Sequence, residues 1–491
     1  MAITPGGSLN SVPAQRQQAL TSNYLDFTSS SNDWAQQYLP DLMEQEAEVF
    51  GPRTISGFLS QVGAEESMSA DQVIWSEQGR LHLSYKGKMT DATSFLVQAD
   101  IDGADSDNSG ISNGHSEVRH GIRVNDTVIL ADANGVSKCL VTAVGTDDIT
   151  VATYDNSTIT ALNTNQTTTI LVYGSEFGKG TNYHSAAAAD TDQRGANEPR
   201  FKSFTNKPII IKDYYEVSGS DTARIGWVEI TGEMGQSGYL WYLKADADTR
   251  ARFLDYLEMA MIEGVNGDTD GSADTLITGA GSSFGTEGLF AAIESRGNTT
   301  SGVTGVNAAT DLAEFDTILA EFDKQGAIEE YMMFVNRSTS LAIDDMLASM
   351  NSYGAGGTSY GVFQNSEEMA LNLGFSGFRR GSYDFYKSDF RYLNDKATRG
   401  SINDANAANA VRGVMIPAGT STVYDQMLGK NLRRPFLHVR YRASQTDDRR
   451  MKSWVTGSVG AATSALDAMQ IHMLSERCLV TQGANNFMIM K

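Results

Sequence analysis

Residues 237–263 read SGYLWYLKADADTRARFLDYLEMAMIE, and this stretch decides the fold. Leu240, Leu243, Ala247, Phe253, Leu254, Leu257 and Met261 recur at helical spacing, which gathers them on one face of an amphipathic helix. Ser237 stands where a capping hydroxyl belongs, and Gly264 follows the last periodic position as a stop. Asp246 with Arg250, and Asp248 with Arg252, have the i,i+4 spacing at which opposite charges meet on a helix surface. About 27 residues rising about 1.5 Å each make a rod of roughly 40 Å. A rod that long spans a domain and sets its shape.

Upstream of the rod the chain is extended. Residues 200–220, RFKSFTNKPIIIKDYYEVSGS, form one long strand-like stretch, preceded by a glycine- and alanine-rich loop at 174–200. Residues 121–173 carry short Val/Ile/Thr runs separated by Asn-Asp, Ala-Asn-Gly and Thr-Asp-Asp turns. That rhythm predicts a small β-barrel-like module inserted between two parts of something else. Residues 71–89, DQVIWSEQGRLHLSYKGKM, alternate as a strand pair with a turn near Gln78-Gly79. Residues 1–65 are rich in Ser, Gln, Pro and Gly, with one helical candidate at 33–49 that Pro40 kinks or breaks. Trp34, Tyr38, Leu42 and Phe50 are apolar anchors too scattered to build a core. Such an arm must lie on another surface, either its own body or a neighbouring copy.

Downstream, 311–323 predicts a second helix that opens on an Asp311…Glu314 capping arrangement and buries Leu312, Phe315, Ile318, Leu319 and Phe322. YMMFV at 331–335 reads as an apolar strand, and a further helix follows near 338–350. Helix, strand and helix in succession predict a mixed α/β lobe. Strands then return at 383–387, 413–419 and 436–443 and in the terminal CLVTQGANNFMIMK.

The 491 residues are 41% apolar and 20% charged, a composition neither disordered nor membrane-embedded. No run approaches the roughly 18 apolar residues of a spanning helix, and the amino terminus lacks the basic start and apolar core of a signal peptide. Met1 as first residue leads us to expect that no leading segment is removed. Cys139 and Cys478 stand alone and far apart, which excludes a disulfide framework and suits a reducing compartment. The net charge of −22 opposes phosphate binding across the surface. Arg433, Arg434, Arg440, Arg442, Arg449, Arg450 and Lys452 nevertheless cluster late in the chain, and their expected use is pairing with neighbouring carboxylates or chains.

The motifs that carry chemistry fail their structural tests. GTSYG at 357–361 matches the nucleophile elbow, but the residues before Ser359 read as loop rather than apolar strand, and the following helix begins too late. A triad built on Ser359 has only His438 and His472 downstream. DIDGADSDNSG at 100–110 misses the calcium-loop register, since the twelfth position counted from Asp105 is Ser116 and Glu117 falls one late. His115 and His120 lie nearby without a metal-ligand spacing. GAGSSFG at 279–285 lacks the dinucleotide pattern, and no Walker-type sequence occurs. The adjacent pairs Glu65-Glu66, Glu329-Glu330 and Asp344-Asp345 read as solvated faces. We therefore assign no catalytic, cofactor-binding or metal-binding residue, no cofactor, and no enzymatic activity.

The order of parts, together with DQVIWSEQGRL at 71–81, NKPIIIKDYYEVSGSD at 206–221, GTEGLFAAIESRGN at 285–298 and LSERCLVTQGAN at 474–485, resembles the major capsid proteins of tailed bacteriophages, the Hong Kong 97-type (HK-97-like) shell fold. The likeness covers most of the chain. It implies an α+β fold with an N-terminal arm at 1–65 and an extended loop with peripheral strands at 66–90 and 180–235. It further implies an inserted β-rich domain at 91–179, a peripheral domain with the spine helix at 236–309, an axial domain at 310–440 and a peripheral return at 441–491. The function implied is a structural virion protein that self-assembles as pentamers and hexamers into an icosahedral head shell. Identical subunits are then the main partners, with scaffold, portal and decoration or cement proteins beside them. The shell encloses double-stranded DNA without specific binding, touches no membrane, and is assembled in the bacterial host cytoplasm. An acidic chain suits that task, because it repels packaged phosphate. Some relatives cross-link through Lys and Asn; no matching motif occurs here. The alternatives are an encapsulin-type nanocompartment shell, a serine hydrolase using Ser359, and a surface-adhesion protein whose β module binds host glycan.

Overall fold

In a computed structural model the chain is α+β. The structure describes residues 64–78, 82–100, 120–145, 148–154, 159, 167–180, 201–222, 229–231, 237–267, 285–325, 328–350, 377–418, 420–425, 430–458 and 462–491. The arm with Trp34, Tyr38, Leu42 and Phe50, the acidic stretch beyond Asp100, and Ser359 lie outside them. The chain divides into two units, one comprising Met1–Trp75 with Phe204–Lys491 and the other Ser76–Ser203.

The described chain opens with β1 (Ala64–Met68) and β2 (Val73–Gln78). The second unit follows, holding β3 (Ser84–Met89), β4 (Ser94–Asp100), β5 (Asp126–Ala131), β6 (Val136–Val144), β7 (Asp148–Thr153) and β8 (Thr167–Ser175). These six strands close a barrel in the order β3-β4-β7-β6-β5-β8. Alternate residues point inward, so Phe95, Val97, Val128, Leu130, Cys139, Val141, Ile149, Val151 and Ile170 form one buried core. The Ala-Asn-Gly turn is fixed by Asp132, whose Oδ1 accepts from the backbone of Asn134 and Gly135. Gly87 sits at a register shift in β3, where an added Cβ would meet the Leu96 carbonyl oxygen at 2.5 Å.

The strand pair expected over 71–89 is not formed. β2 pairs instead with β9 (Phe201–Asn206), and β3 is a barrel strand between β4 and β8 rather than part of an extended loop. Alternation identifies a strand but not its partner, and here the partner is far off in sequence.

The remaining elements belong to the first unit. They are β10 (Ile209–Ser218), β11 (Glu229–Thr231), β12 (Ser237–Tyr239), α1 (Leu240–Glu263), α2 (Leu289–Arg296), β13 (Asn298–Thr300), α3 (Ala308–Gln325), β14 (Glu330–Val335), α4 (Arg337–Met350), β15 (Gly377–Arg380) and β16 (Tyr383–Asp389). They continue with α5 (Arg391–Asn394), α6 (Arg399–Ala405), β17 (Gly413–Pro417), β18 (Thr420–Asp425), β19 (Lys430–Pro435), β20 (Leu437–Arg442), β21 (Lys452–Gly457), β22 (Ala468–Thr481) and β23 (Met488–Met490).

Two larger sheets organise this unit. One runs β13-β23-β17-β14-β16-β15 and is covered on both faces. Tyr331, Met333, Val335, Met415, Met488 and Met490 face α3 and α4 in one core, while Phe334, Val414, Ile416 and Ile489 face Leu289, Phe290 and Ile293 of α2 in another. Burial on both sides explains the unbroken apolar runs YMMFV and VMI. The second core also takes Leu437, Val439 and Leu479 from the other sheet. That sheet runs β1-β20-β22-β10, with β21 also on β22.

The long helix is α1, 24 residues and thus about 36 Å. It buries Thr249, Phe253, Leu257 and Met261, whereas Ala247 is exposed. It begins at Leu240 rather than Ser237, because Ser237–Tyr239 pairs antiparallel with Glu229–Thr231. It ends before Gly264, whose N–H donates to the Ala260 carbonyl at 3.0 Å. A Cβ on Gly264 would lie 2.6 Å from the carbonyl oxygen of Thr286, so backbone approach demands this glycine. At the start of α3, Asn307 Oδ1 accepts from Thr310 N and does the capping. Asp311 and Glu314 instead accept from Gly305 N and from Thr304 N and Oγ1.

Candidate assembly surface

α1 covers only one face of the β10–β22 pair. Phe253 and Leu257 pack there with Ile471 and Met473, and Ile211, Leu254 and Met469 border them. Because side chains alternate across a strand, Ile210, Lys212 and Tyr214 of β10 point the other way. On that second face Tyr214 lies opposite His472, and His472 opposite Trp454. The Tyr214 and His472 rings stack with centres 6.1 Å apart, and those of Trp454 and His472 at 5.2 Å with 19° between planes. Thr456 Oγ1 and His472 Nε2 are hydrogen-bonded at 2.7 Å, which holds the imidazole in the row. Tyr214 remains 57% exposed, Ile210 53% and Trp454 37%. Tyr214 and Trp454 thus keep exposed surface on this face, and β10 is the last strand of its sheet.

The opposite side of the same pair is tied by charge. Arg252 of α1 reaches Asp213 of β10 at 3.0 Å, so the expected Asp248–Arg252 pair does not form; Arg250 does meet Asp246, at 3.2 Å. The half-buried Asp213 is the better partner, since a desolvated carboxylate attracts more strongly than an exposed one.

The strands β2 and β9 are rooted in the first unit by a polar pin. Asn206 is 1% exposed, and its Nδ2 donates to the carbonyls of Glu287 at 2.9 Å and Leu479 at 2.6 Å. Its Oδ1 accepts from Glu287 N at 2.9 Å, from Lys207 N at 2.8 Å and from Thr286 Oγ1 at 3.2 Å. Beside it Arg296 is bonded to Glu287 at 2.6 Å and lies 4.6 Å from the Phe204 ring centre and 5.6 Å from that of Trp75. Burial pushes the Glu287 carboxyl above its usual range, opposed by the Arg296 charge. Nothing in the motif GTEGLFAAIESRGN marks Glu287 and Arg296 as partners; the one advance signal for the pin is an Asn at the end of a strand.

Of the late basic cluster, the described side chains of Arg440, Arg442, Arg449, Arg450 and Lys452 are paired within the chain. Arg440 meets Glu66 at 2.8 Å, Arg449 meets Glu476 at 2.8 Å, and Lys452 meets Asp447 at 2.6 Å. Arg442 bridges Asp71 and Glu476, and Arg450 meets Glu65. Glu65 and Glu66 are therefore ion-pair partners rather than a solvated face. The same correction applies to Asp344, which is nearly buried and bound to Lys387 Nζ.

Ser359, the calcium-like stretch beyond Asp100 with His115, and GAGSSFG up to Phe284 lie outside the described residues. His438, buried in β20, has Nδ1 3.3 Å from the Pro435 carbonyl, and His472 is committed to its aromatic row. Burial pushes the Cys478 thiol up to about 12, which keeps it unreactive. Among the described residues no group of three or more His, Cys, Asp or Glu is placed to hold a metal, and no helix is long and apolar enough to cross a membrane.

No protein-family model matches the chain, and comparison with curated proteins finds no match. Solved structures do align over nearly its whole length. A chain of Microbacterium phage Oxtober96 is 9% identical, with 95% of this chain and 99% of that one covered at a TM-score of 0.37. The capsid of cyanophage P-SCSP1u is 8% identical over 96% and 98%, at 0.38. The capsid of a native GTA particle is 10% identical over 95% and 98%, at 0.36. Those descriptions belong to the neighbours, and the reading of this chain rests on its own residues.

Proposed function

We propose that the protein is a structural subunit of an icosahedral phage head shell, assembling through identical copies as pentamers and hexamers around double-stranded DNA. The observation that carries this reading is the aromatic row Tyr214–His472–Trp454. Among the described residues Tyr214 and Trp454 of this row keep exposed surface on one face of a sheet whose other face is packed by α1. Exposed aromatics are not needed for folding, and aromatic anchors dominate the energy of protein interfaces. A second copy is the natural occupant, since closed shells repeat one contact many times and tie weak interfaces together.

The order of parts supports the same reading. A long helix lies on an edge strand, a strand pair is pinned at its root by Asn206, and a separate lobe is built on the six-stranded sheet. We assign these parts to the spine, extended loop and axial lobe that the sequence resemblance implies. The domain limits given above, except that the inserted β domain begins with β3 rather than at 91, the arm at 1–65 reaching across neighbours, and scaffold, portal and decoration partners belong to this proposal. So do residence in the virion capsid and assembly in the host cytoplasm. The net charge of −22 fits a container that repels its polyanionic content.

Sedimentation of purified recombinant protein tests it. Shell-sized particles from the native chain, lost in Trp454→Asp while the subunit stays folded, support the proposal. Shells made equally well by Trp454→Asp would remove its carrying observation. The hydrolase alternative predicts turnover abolished by Ser359→Ala, and shell-forming material without turnover dismisses it.

A further inference from the structure

β1 is attached to the first unit by one edge. It lies parallel to β20, from Ala64 beside His438 to Met68 beside Arg442, and among the described residues it has no second strand partner. Parallel pairing is the weaker kind, and a strand of five residues has few rungs. Of Glu65–Met68 no side chain is buried, and none belongs to a buried core among the described residues. β20 differs, because Leu437, His438 and Val439 are all buried. Apolar burial therefore fixes β20 and contributes little to holding β1.

Charge holds it instead. Glu66 meets Arg440 of β20 at 2.8 Å, while Glu65 meets Arg450 and lies 3.7 Å from Arg477 of β22. Just past the strand, Asp71 meets Arg442. The side chains of Glu65, Glu66 and Asp71 are 26%, 30% and 89% exposed. Dissolved ions therefore reach these carboxylates, and pairs in such a setting weaken as salt is added. Burial pushes the Arg477 guanidinium below its usual value, the Arg450 charge adds to that, and Glu65 is the strongest charge opposing it. Glu65 is thus the counter-charge of two neighbouring cations, and its grip on them is mutual.

We propose that β1 is an ionic clasp. Glu65 and Glu66 hold the strand on β20 at low ionic strength, and rising salt releases Ala64–Met68 while β20, β21 and β22 stay paired. The strand stands where residues 1–63 join the described part of the first unit, so its release frees that junction without unfolding the subunit. The proposal does not rest on the shell reading, and its test follows one strand whether or not shells form.

Amide hydrogen exchange of the full-length chain is compared at low salt and at about 1 M sodium chloride, where the screening length falls to about 3 Å. Exchange over residues 64–68 should quicken about tenfold as their ion pairs are screened, with residues 331–335 of β14 unchanged. Glu65→Gln/Glu66→Gln, which keeps the shape and removes both charges, should exchange rapidly over 64–68 even at low salt and respond little to added salt. Protection of 64–68 in the native chain that ignores salt overturns the proposal by itself. So does a salt response that survives Glu65→Gln/Glu66→Gln, or a loss of protection that spreads equally to β14.

Discussion

Trp454 stacks on His472 across β21 and β22, ring centres 5.2 Å apart, and the indole is still 37% exposed. His472 stacks in turn on Tyr214 of β10. Three strands are thereby stitched on a face that the helix α1 does not reach. A row of this kind contributes little to the isolated subunit and much to a contact that desolvates it. Trp454→Asp and Tyr214→Asp should each lower subunit stability by no more than about 1 kcal/mol. Each should nonetheless abolish higher assembly, which sedimentation velocity reads directly.

Asn206 is a different kind of residue, because five hydrogen bonds converge on its amide. Asn206→Ala leaves the backbone of Glu287 and the Leu479 carbonyl unpaired in a buried place. At about 1–3 kcal/mol for each buried polar group orphaned, these three groups together should cost about 3 kcal/mol or more. Urea unfolding measures it as a lower midpoint with unchanged slope.

Lys387 and Asp344 form a nearly buried pair between β16 and α4, with side chains 6% and 12% exposed. Lys387→Met strands a carboxylate and should cost about 3–5 kcal/mol. The double variant Lys387→Met/Asp344→Leu should recover most of that loss. A double variant no better than the single one would show that the pair is not the unit that matters.

The Tyr154 phenol is raised from 10.0 to about 12, first by its hydrogen bond to Glu176. A folded value above the unfolded one favours the protonated phenol, so this contribution to stability is intact below pH 10.0 and fades as pH climbs through about 12. Glu176→Gln should return Tyr154 to the ordinary range. The difference in tyrosinate absorbance between each background and its Tyr154→Phe partner isolates that one titration.

Much of this arrangement was legible in the residues, and the failures share a cause. The periodicity of 237–263 found α1, and the turn-punctuated Val/Ile/Thr runs found the barrel strands, because both signals are local. What periodicity missed is choice of partner. Arg252 leaves Asp248 for Asp213, Asp311 and Glu314 serve the segment before α3 instead of capping it, and β2 joins β9 rather than β3. For Arg252 and for β2 the loser was nearest in sequence and the winner was brought close only by the fold. The Asn206 pin and the Tyr214–His472–Trp454 row were invisible for the same reason, since their members come from segments far apart. The elbow motif at Ser359 and the calcium-like stretch after Asp100 lie outside the described residues.

The most direct test of the central claim is electron microscopy of purified recombinant chain, carried out over a range of protein and salt concentrations. The account predicts closed, uniform, shell-sized particles from the native chain and dispersed subunits from Trp454→Asp. A native chain that stays monomeric under every condition would contradict it.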